Sequence, residues 1–118
     1  QVVGKLPVKP ETLDAIRQGL RGVIASPFGT AKNYYYGMLV KVAGKTGTAE
    51  TADAKPDAWF AAYAPFDAPE IVVVVIVENA GQGSAVASPI ARNIIEAYFG
   101  YGLTPLPPLS PETQPADR

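Results

Sequence analysis

The segment from Ile71 to Val77 constrains the fold of this 118-residue chain more than any other stretch. It reads IVVVVIV, an uninterrupted apolar run of β-branched side chains, which is typical of a β-strand. A strand without polar alternation is expected to be covered on both faces and to have a neighbour on each side. Natural proteins avoid long apolar strands at a sheet edge because they promote aggregation. The segment therefore predicts a strand inside a sheet.

Two further strands are predicted before this one. The first covers Met38 to Ala49, and the second covers Ala58 to Ala64 and is stopped by Pro65. The connection from Thr51 to Pro56 is short and polar, which favours antiparallel neighbours. We therefore expect an α+β fold, an antiparallel three-stranded meander with flanking helices. Since Ile71–Val77 would lie at one edge of this meander, a strand from outside the chain is predicted to pair with it.

Helical periodicity flanks the predicted strands. A first helix is predicted from Lys9 to Ala25 and ends at Ser26-Pro27, because a residue before proline avoids helical geometry. A closing helix is predicted to end at Phe99, and either Ser84 or Ser88 could cap its start. The apolar faces expected to pack are Leu13, Ile16, Leu20 and Val23 or Ile24 in the first helix, and Val86, Ile90, Ile94, Ala97 and Tyr98 in the second.

Composition excludes several classes of function. The chain has no cysteine and no histidine, which rules out zinc fingers, redox dithiols, cysteine nucleophiles and a histidine-based triad within it. A net charge of −1 with mixed signs predicts no nucleic-acid partner. No metal or other cofactor is expected. Residues 1–100 are expected to form the ordered part, and the proline-rich residues 101–118 a disordered tail.

The segment Gly44-Lys45-Thr46-Gly47-Thr48 is the candidate functional motif. Gly-Lys-Thr also ends the phosphate-binding loop, but that loop needs a glycine five residues earlier, where Leu39 stands. The residues between, VKVA, are typical of a strand rather than a loop. The alternative is the Lys-Thr-Gly strand of the penicillin-recognising serine enzymes.

Each residue type of this motif suits the binding of an anionic peptide. Strand alternation places Lys45 and Gly47 on one face, and Thr46 and Thr48 on the other. The Lys45 ammonium supplies positive charge for a substrate carboxylate, and the absence of a side chain at Gly47 leaves room beside it. The hydroxyls of Thr46 and Thr48 can donate to a carboxylate. If the strand lies at an edge, its backbone can pair with an extended peptide.

The chain resembles the class B penicillin-binding proteins over almost all of its ordered length. The likeness is carried by five stretches in the order they have at the end of that family's transpeptidase domain: KPETLDAIRQGL, VAGKTGTAET, DAWFAAYAP, IVVVVIVENAG and SAVASPIARNIIEAYF. The fragments AWFAAYAP, VENAG and ASPIAR are more similar to the elongation-type members than to the division-type members.

The resemblance implies a domain with a five-stranded antiparallel sheet and helices on both faces, in which the first strand of the domain pairs with Ile71–Val77. It implies acyl transfer, in which a serine attacks the D-Ala-D-Ala bond of a peptidoglycan stem peptide. It also implies that Lys45 orients proton transfer near that serine, that Thr46 and Thr48 bind the carboxylate of substrate or β-lactam, and that the Thr48 N–H is an oxyanion donor.

Two motifs of that family are missing. None of the serines is followed by lysine three residues later or by asparagine two residues later; they are Ser26, Ser84, Ser88 and Ser110. The chain opens on Gln1 rather than Met, and we expect it to be part of a longer protein that carries Ser-x-x-Lys and Ser-x-Asn upstream. The chain alone is therefore predicted to be inactive.

The expected partners follow from the same resemblance. They are the upstream part of the protein, the stem peptide, β-lactam antibiotics and a cell-wall elongation glycosyltransferase. The expected location is the extracytoplasmic face of the bacterial membrane, through an anchor outside this chain. Two alternatives stay open: a β-lactam sensor or serine β-lactamase relative, and a non-catalytic peptide-binding module.

Overall fold

Three antiparallel strands and two α-helices form the framework of the chain. The structure is a computed structural model and describes residues 1–52 and 54–108. The elements are α1 (Pro10–Ala25), a short 3-10 helix (Lys32–Tyr34), β1 (Ala43–Thr51), β2 (Ala54–Ala64), β3 (Ile71–Val77) and α2 (Ala87–Tyr98). The strands lie in the order β1-β2-β3, and both pairings are antiparallel. The predicted α+β meander is therefore confirmed.

The strand register gives the sheet an inner and an outer face. Residues that pair across the strands share a face, so Thr46, Phe60 and Val75 lie in one row, and Gly47, Trp59 and Ile76 in the next. Phe60 is fully buried and stacks on Tyr35 at 5.7 Å between ring centroids. The row containing Phe60 is thus the inner, core-facing side, and the row containing Trp59 is the outer side.

β1 begins later than predicted, whereas β2 ends at the predicted residue. β1 begins at Ala43 rather than Met38. Its partner β2 ends at Ala64, before Pro65, which has no N–H to extend the ladder. The residues before Ala43, which would continue β1 opposite that proline, therefore have no strand partner. One hydrogen bond persists there, in which the Lys41 carbonyl accepts the Phe66 N–H at 2.8 Å.

The connection between β1 and β2 is shorter than predicted. The range Thr51–Pro56 was expected to be a polar connection, but Thr51 still pairs with Ala54 as part of the ladder. A register irregularity between Ala49 and Thr51 precedes the turn. Of the polar residues described in this range, Thr51 is exposed and Lys55 is partly exposed, so both side chains remain in contact with solvent.

Helix α1 matches its prediction at both ends and packs over part of its length. Pro10 is the first helical residue, and Ser26 adopts extended backbone geometry as the residue before proline. The helix packs on β1 and buries Ile24, while Leu13 and Ile16 remain exposed. The N-terminal half of the predicted apolar face is thus uncovered within the part of the chain that the structure describes.

Helix α2 packs on β2 and β3 through a face that differs in part from the one predicted. Ala87, Ala91 and Ile95 are fully buried, whereas Ile94 and Tyr98 are 43% and 54% exposed. The prediction was wrong for Ile94, Ala97 and Tyr98, which are exposed, whereas Val86 is buried and Ile90 packs against the core as predicted. Small residues face the sheet because they allow the helix to lie close to the broad Phe60 row. The N-cap residue is Val86, whose side chain forms no capping hydrogen bond. The predicted caps, Ser84 and Ser88, do not occupy this position.

One edge and one face of β3 have no neighbour among residues 1–52 and 54–108. β3 is the last strand of the sheet, and on the outer face Val72, Val74 and Ile76 are exposed by 72%, 59% and 46%. On the inner face Val73 and Val75 are buried. An outside strand that pairs with β3 therefore stays a prediction, and the open edge is where it would add.

A carboxylate on α2 organises the segment that follows the helix. Glu96 is almost fully buried and accepts hydrogen bonds from Arg92 at 2.8 Å and from the Thr104 N–H at 2.9 Å. Arg92 also donates to the carbonyls of Tyr34 and Tyr36. Burial would raise the pKa of Glu96, but the hydrogen bonds from Arg92 and Thr104 hold it below its usual value. The predicted boundary near residue 100 stays a prediction, and residues 109–118 lie outside the described residues.

Candidate functional site

The four predicted site residues lie together on β1, the strand at the other end of the sheet. The register pairs Lys45 with Ala61 and Gly47 with Trp59 on the outer face, which confirms the predicted alternation. Thr46 and Thr48 point to the opposite face. Since no strand pairs with the other side of β1 in the described ranges, its backbone is available to an extended ligand there.

Lys45 presents a positive charge that no carboxylate within residues 1–52 and 54–108 neutralises. Its side chain is exposed, and its ammonium donates to the Thr46 carbonyl at 2.7 Å. By contrast, Lys41 pairs with Asp67 at 3.0 Å, and Arg92 pairs with Glu96. Among the described residues, Lys45 takes part in no ion pair. An exposed ammonium next to a strand edge can attract an anionic ligand.

The two threonines have partners that the sequence did not indicate. The Thr46 hydroxyl shares a hydrogen bond of 2.9 Å with the hydroxyl of Thr30, which lies in the loop after α1. The Thr48 hydroxyl faces the Gly83 N–H at 3.5 Å, at the long limit for a hydrogen bond. Thr30 carries no sequence pattern that could have identified it. Gly83 lies outside the motif and has no side chain that could have identified it.

Gly83 contacts the backbone of the candidate site directly. A methyl group at this position would overlap the carbonyl oxygens of Gly47 and Trp59 and would lie 3.1 Å from the Gly47 nitrogen. Gly47 is also confined on the outer face, where a methyl group would lie 3.1 Å from the Trp59 Cβ. A side chain at position 83 would therefore overlap the backbone, whereas a side chain at position 47 would require Trp59 to shift by a few tenths of an ångström.

The loop that carries Gly83 is bound to the β1–β2 hairpin at two further points. The Asp57 carboxylate accepts the Asn79 N–H at 2.9 Å, and the Pro56 carbonyl accepts the Gly81 N–H at 2.8 Å. Asn79 has a positive φ of 54°, which asparagine tolerates better than most residues. Asp57 therefore has a structural partner, although its sequence context gave no indication of one.

Two of the described serines make hydrogen bonds outside the motif. The Ser88 hydroxyl is buried and donates to the Ser84 carbonyl, and the Ser26 hydroxyl accepts the Phe28 N–H. Neither of these hydrogen bonds involves a residue from Lys45 to Thr48. Ser110 lies outside the described residues. His, Cys, Asp and Glu form no group of three or more that could hold a metal ion in the described ranges.

Comparisons with known proteins identify the family to which the chain belongs. Residues 1–96 match the family of the penicillin binding protein transpeptidase domain. The chain belongs to this family and is a fragment of its transpeptidase domain.

The similarity extends to one type within the family. The peptidoglycan D,D-transpeptidase MrdA of Haemophilus influenzae is 38% identical, over 76% of this chain and 16% of the relative. PBP2 of Pseudomonas aeruginosa, solved in complex with WCK 5153, aligns with a TM-score of 0.74 and 32% identity over 80% of this chain and 20% of that chain. PBP2 of Helicobacter pylori, solved in complex with MreC, aligns with a TM-score of 0.68 and 27% identity over 81% of this chain and 19% of that chain. The chain is thus of the PBP2 type, as its resemblance to elongation-type members predicted, and it spans about a sixth of the length of the Haemophilus relative.

Proposed function

We propose that this chain forms one wall of the active site of a peptidoglycan D,D-transpeptidase. In this reaction the hydroxyl of an upstream serine adds to the carbonyl of the D-Ala-D-Ala bond, and the terminal D-Ala leaves as an amine that takes up a proton. An amine of a neighbouring stem peptide then displaces the serine from the acyl-enzyme. A β-lactam would acylate the same serine by ring opening.

The observation that supports this proposal best is the unpaired ammonium of Lys45 on an open strand edge. A stem peptide ends in a carboxylate, which requires a cation and hydroxyl donors at a fixed position along the strand. On β1, Lys45 presents the cation from the outer face and Thr46 and Thr48 present hydroxyls from the opposite face, beside the side-chain-free Gly47. Charge-assisted hydrogen bonds of this kind are stronger than neutral ones. The Thr48 N–H is proposed as one oxyanion donor.

The rest of the domain is proposed to cover the uncovered surfaces of this chain. The open edge of β3 would receive a strand from upstream, and the exposed outer face around Val72, Val74 and Trp59 would be buried by upstream helices. Trp59 is 40% exposed in this chain, on the same face as Lys45. The missing nucleophile would therefore approach Lys45 from the outer face.

Location and partners are proposed from the relatives. A peptidoglycan substrate places the enzyme on the extracytoplasmic side of the membrane, held by an anchor elsewhere in the protein. No helix in residues 1–52 and 54–108 has the length and apolar character needed to cross a bilayer. Because a solved PBP2 relative binds MreC, we propose a similar partner, together with a cell-wall elongation glycosyltransferase.

Labelling of the parent protein with a fluorescent penicillin tests the proposal. We expect one covalent adduct per molecule, mapped by mass spectrometry of peptides to a serine outside residues 1–118. The adduct should persist for much longer than a lactamase intermediate, because a transpeptidase deacylates slowly with water. An adduct on a serine within this chain would contradict the site assignment. Absence of any adduct would contradict the proposed function.

A further inference from the structure

We infer that Gly83 is a positioning residue for acylation, because its backbone packs against the peptide group between Gly47 and Thr48 and restricts the movement of that group. This inference rests on the proposed function. It concerns the loop between β3 and α2, which the roles proposed above do not use.

The argument begins with the atoms that Gly83 contacts. The carbonyl of Gly47 and the N–H of Thr48 belong to the same planar peptide group. Gly83 lies so close to that carbonyl that a methyl group at position 83 would overlap it, together with the carbonyl of Trp59. The position of the Thr48 N–H, the proposed oxyanion donor, is therefore limited by the backbone of Gly83. A side chain at 83 would have to displace this peptide group or the loop itself.

The loop is rigid enough to act in this way. Its N-terminal part is bound to the hairpin through Asn79 and Asp57 at 2.9 Å and through Gly81 and Pro56 at 2.8 Å. Its C-terminal part is bound to α2, since the Gly83 carbonyl accepts the Ser88 N–H at 3.0 Å. Ser88 itself is fully buried. Gly83 is thus fixed between the hairpin and the helix. A side chain at this position could not be accommodated by a simple outward shift of the loop.

The expected effect follows from how steeply acyl transfer depends on donor geometry. Removing one oxyanion donor costs about a hundredfold or more in rate, and a misplacement of about 1 Å can have a similar cost. Gly83→Ala in the parent protein should therefore slow acylation by at least about tenfold.

A labelled penicillin gives two quantities, which distinguish an effect of the substitution on site geometry from an effect on folding. The stoichiometry of labelling reports the fraction of folded enzyme, and the second-order rate constant reports the geometry of each folded molecule. Val75→Ala is the matched control: Val75 is buried on the same inner face but lies on β3, two strands away from Thr48. It should lower stability while leaving the rate constant within about twofold of the wild type, as expected of a core cavity distant from the site.

A second pair of variants keeps the test decisive if Gly83→Ala does not fold. Asp57→Ala removes the acceptor of the Asn79 N–H from a side chain at the protein surface, which should loosen the loop and slow acylation by about threefold or more. Asp57→Asn retains an oxygen acceptor at the same place and should restore the wild-type rate constant.

The outcomes are distinguishable. A lowered rate constant for Gly83→Ala at full stoichiometry supports the inference, as does a slow Asp57→Ala enzyme rescued by Asp57→Asn. A wild-type rate constant in Gly83→Ala overturns it. If that variant yields no folded protein, an Asp57→Ala enzyme with wild-type rate overturns it, and so does equal slowing by both Asp57 variants. If the wild-type parent itself takes no label, the proposed function fails instead.

Discussion

Replacing Lys45 by alanine in the parent protein tests the central role assigned to this chain. The Lys45 side chain is exposed. Within the described residues, its ammonium donates a hydrogen bond only to the neighbouring Thr46 carbonyl. Substitutions at such surface positions usually change the free energy of unfolding by no more than about 0.5 kcal/mol. A charge-assisted hydrogen bond to a carboxylate contributes about 1.5–3 kcal/mol, which corresponds to at least about tenfold in rate. Lys45→Ala should thus cost much activity and little stability.

The assay measures the second-order rate constant of penicillin acylation and the melting temperature of each variant. Lys41→Ala is the matched control, because Lys41 is also an exposed lysine but precedes β1 and pairs with Asp67 across an exposed salt bridge. Such a pair contributes between 0 and about 1 kcal/mol to stability. Lys45→Arg keeps the charge with a different shape and should retain partial activity. Equal slowing by Lys41→Ala and Lys45→Ala would refute the role of Lys45, and so would a large loss of stability in Lys45→Ala alone.

Two further predictions concern the framework behind the site. Phe60→Ala should lower the free energy of unfolding by about 3–5 kcal/mol, measured by denaturant titration, because it empties the fully buried centre of the sheet; Tyr36→Ala, at a side chain that is 85% exposed, is the control and should change it little. Glu96→Gln should lower the free energy of unfolding by about 1–3 kcal/mol at neutral pH, since the negative charge and one of the two acceptor oxygens are lost while Arg92 stays largely buried beside it. Because the pKa of Glu96 is lowered by folding, its contribution is complete above the ordinary pKa of about 4.3 and disappears as the pH falls through the lower value in the folded protein. The difference between wild type and variant should therefore shrink below about pH 4, and a difference that stays constant or grows there would contradict this assignment.

The sequence by itself determined the features that depend on neighbours along the chain. The ends of α1 follow from Pro10 and from Ser26-Pro27, whose backbone restrictions act within one or two residues. The β3 strand follows from its own apolar run, and its bounds are those predicted. The separation of Lys45 and Gly47 from the two threonines needed only the alternation of a strand.

Tertiary structure decided the features that depend on a partner distant in sequence. A strand ends where its neighbour can no longer pair, so Pro65, directly after β2, set the beginning of β1. The buried face of α2 was decided by how closely a helix can approach the Phe60 row, which favours Ala87 and Ala91 over larger side chains. The contact of Gly83 with Gly47 joins residues that are 36 positions apart (83 − 47), and it exists only because the loop after β3 folds back over the hairpin. No local pattern encodes such a contact, since the chain must first close this loop before the two backbones can meet.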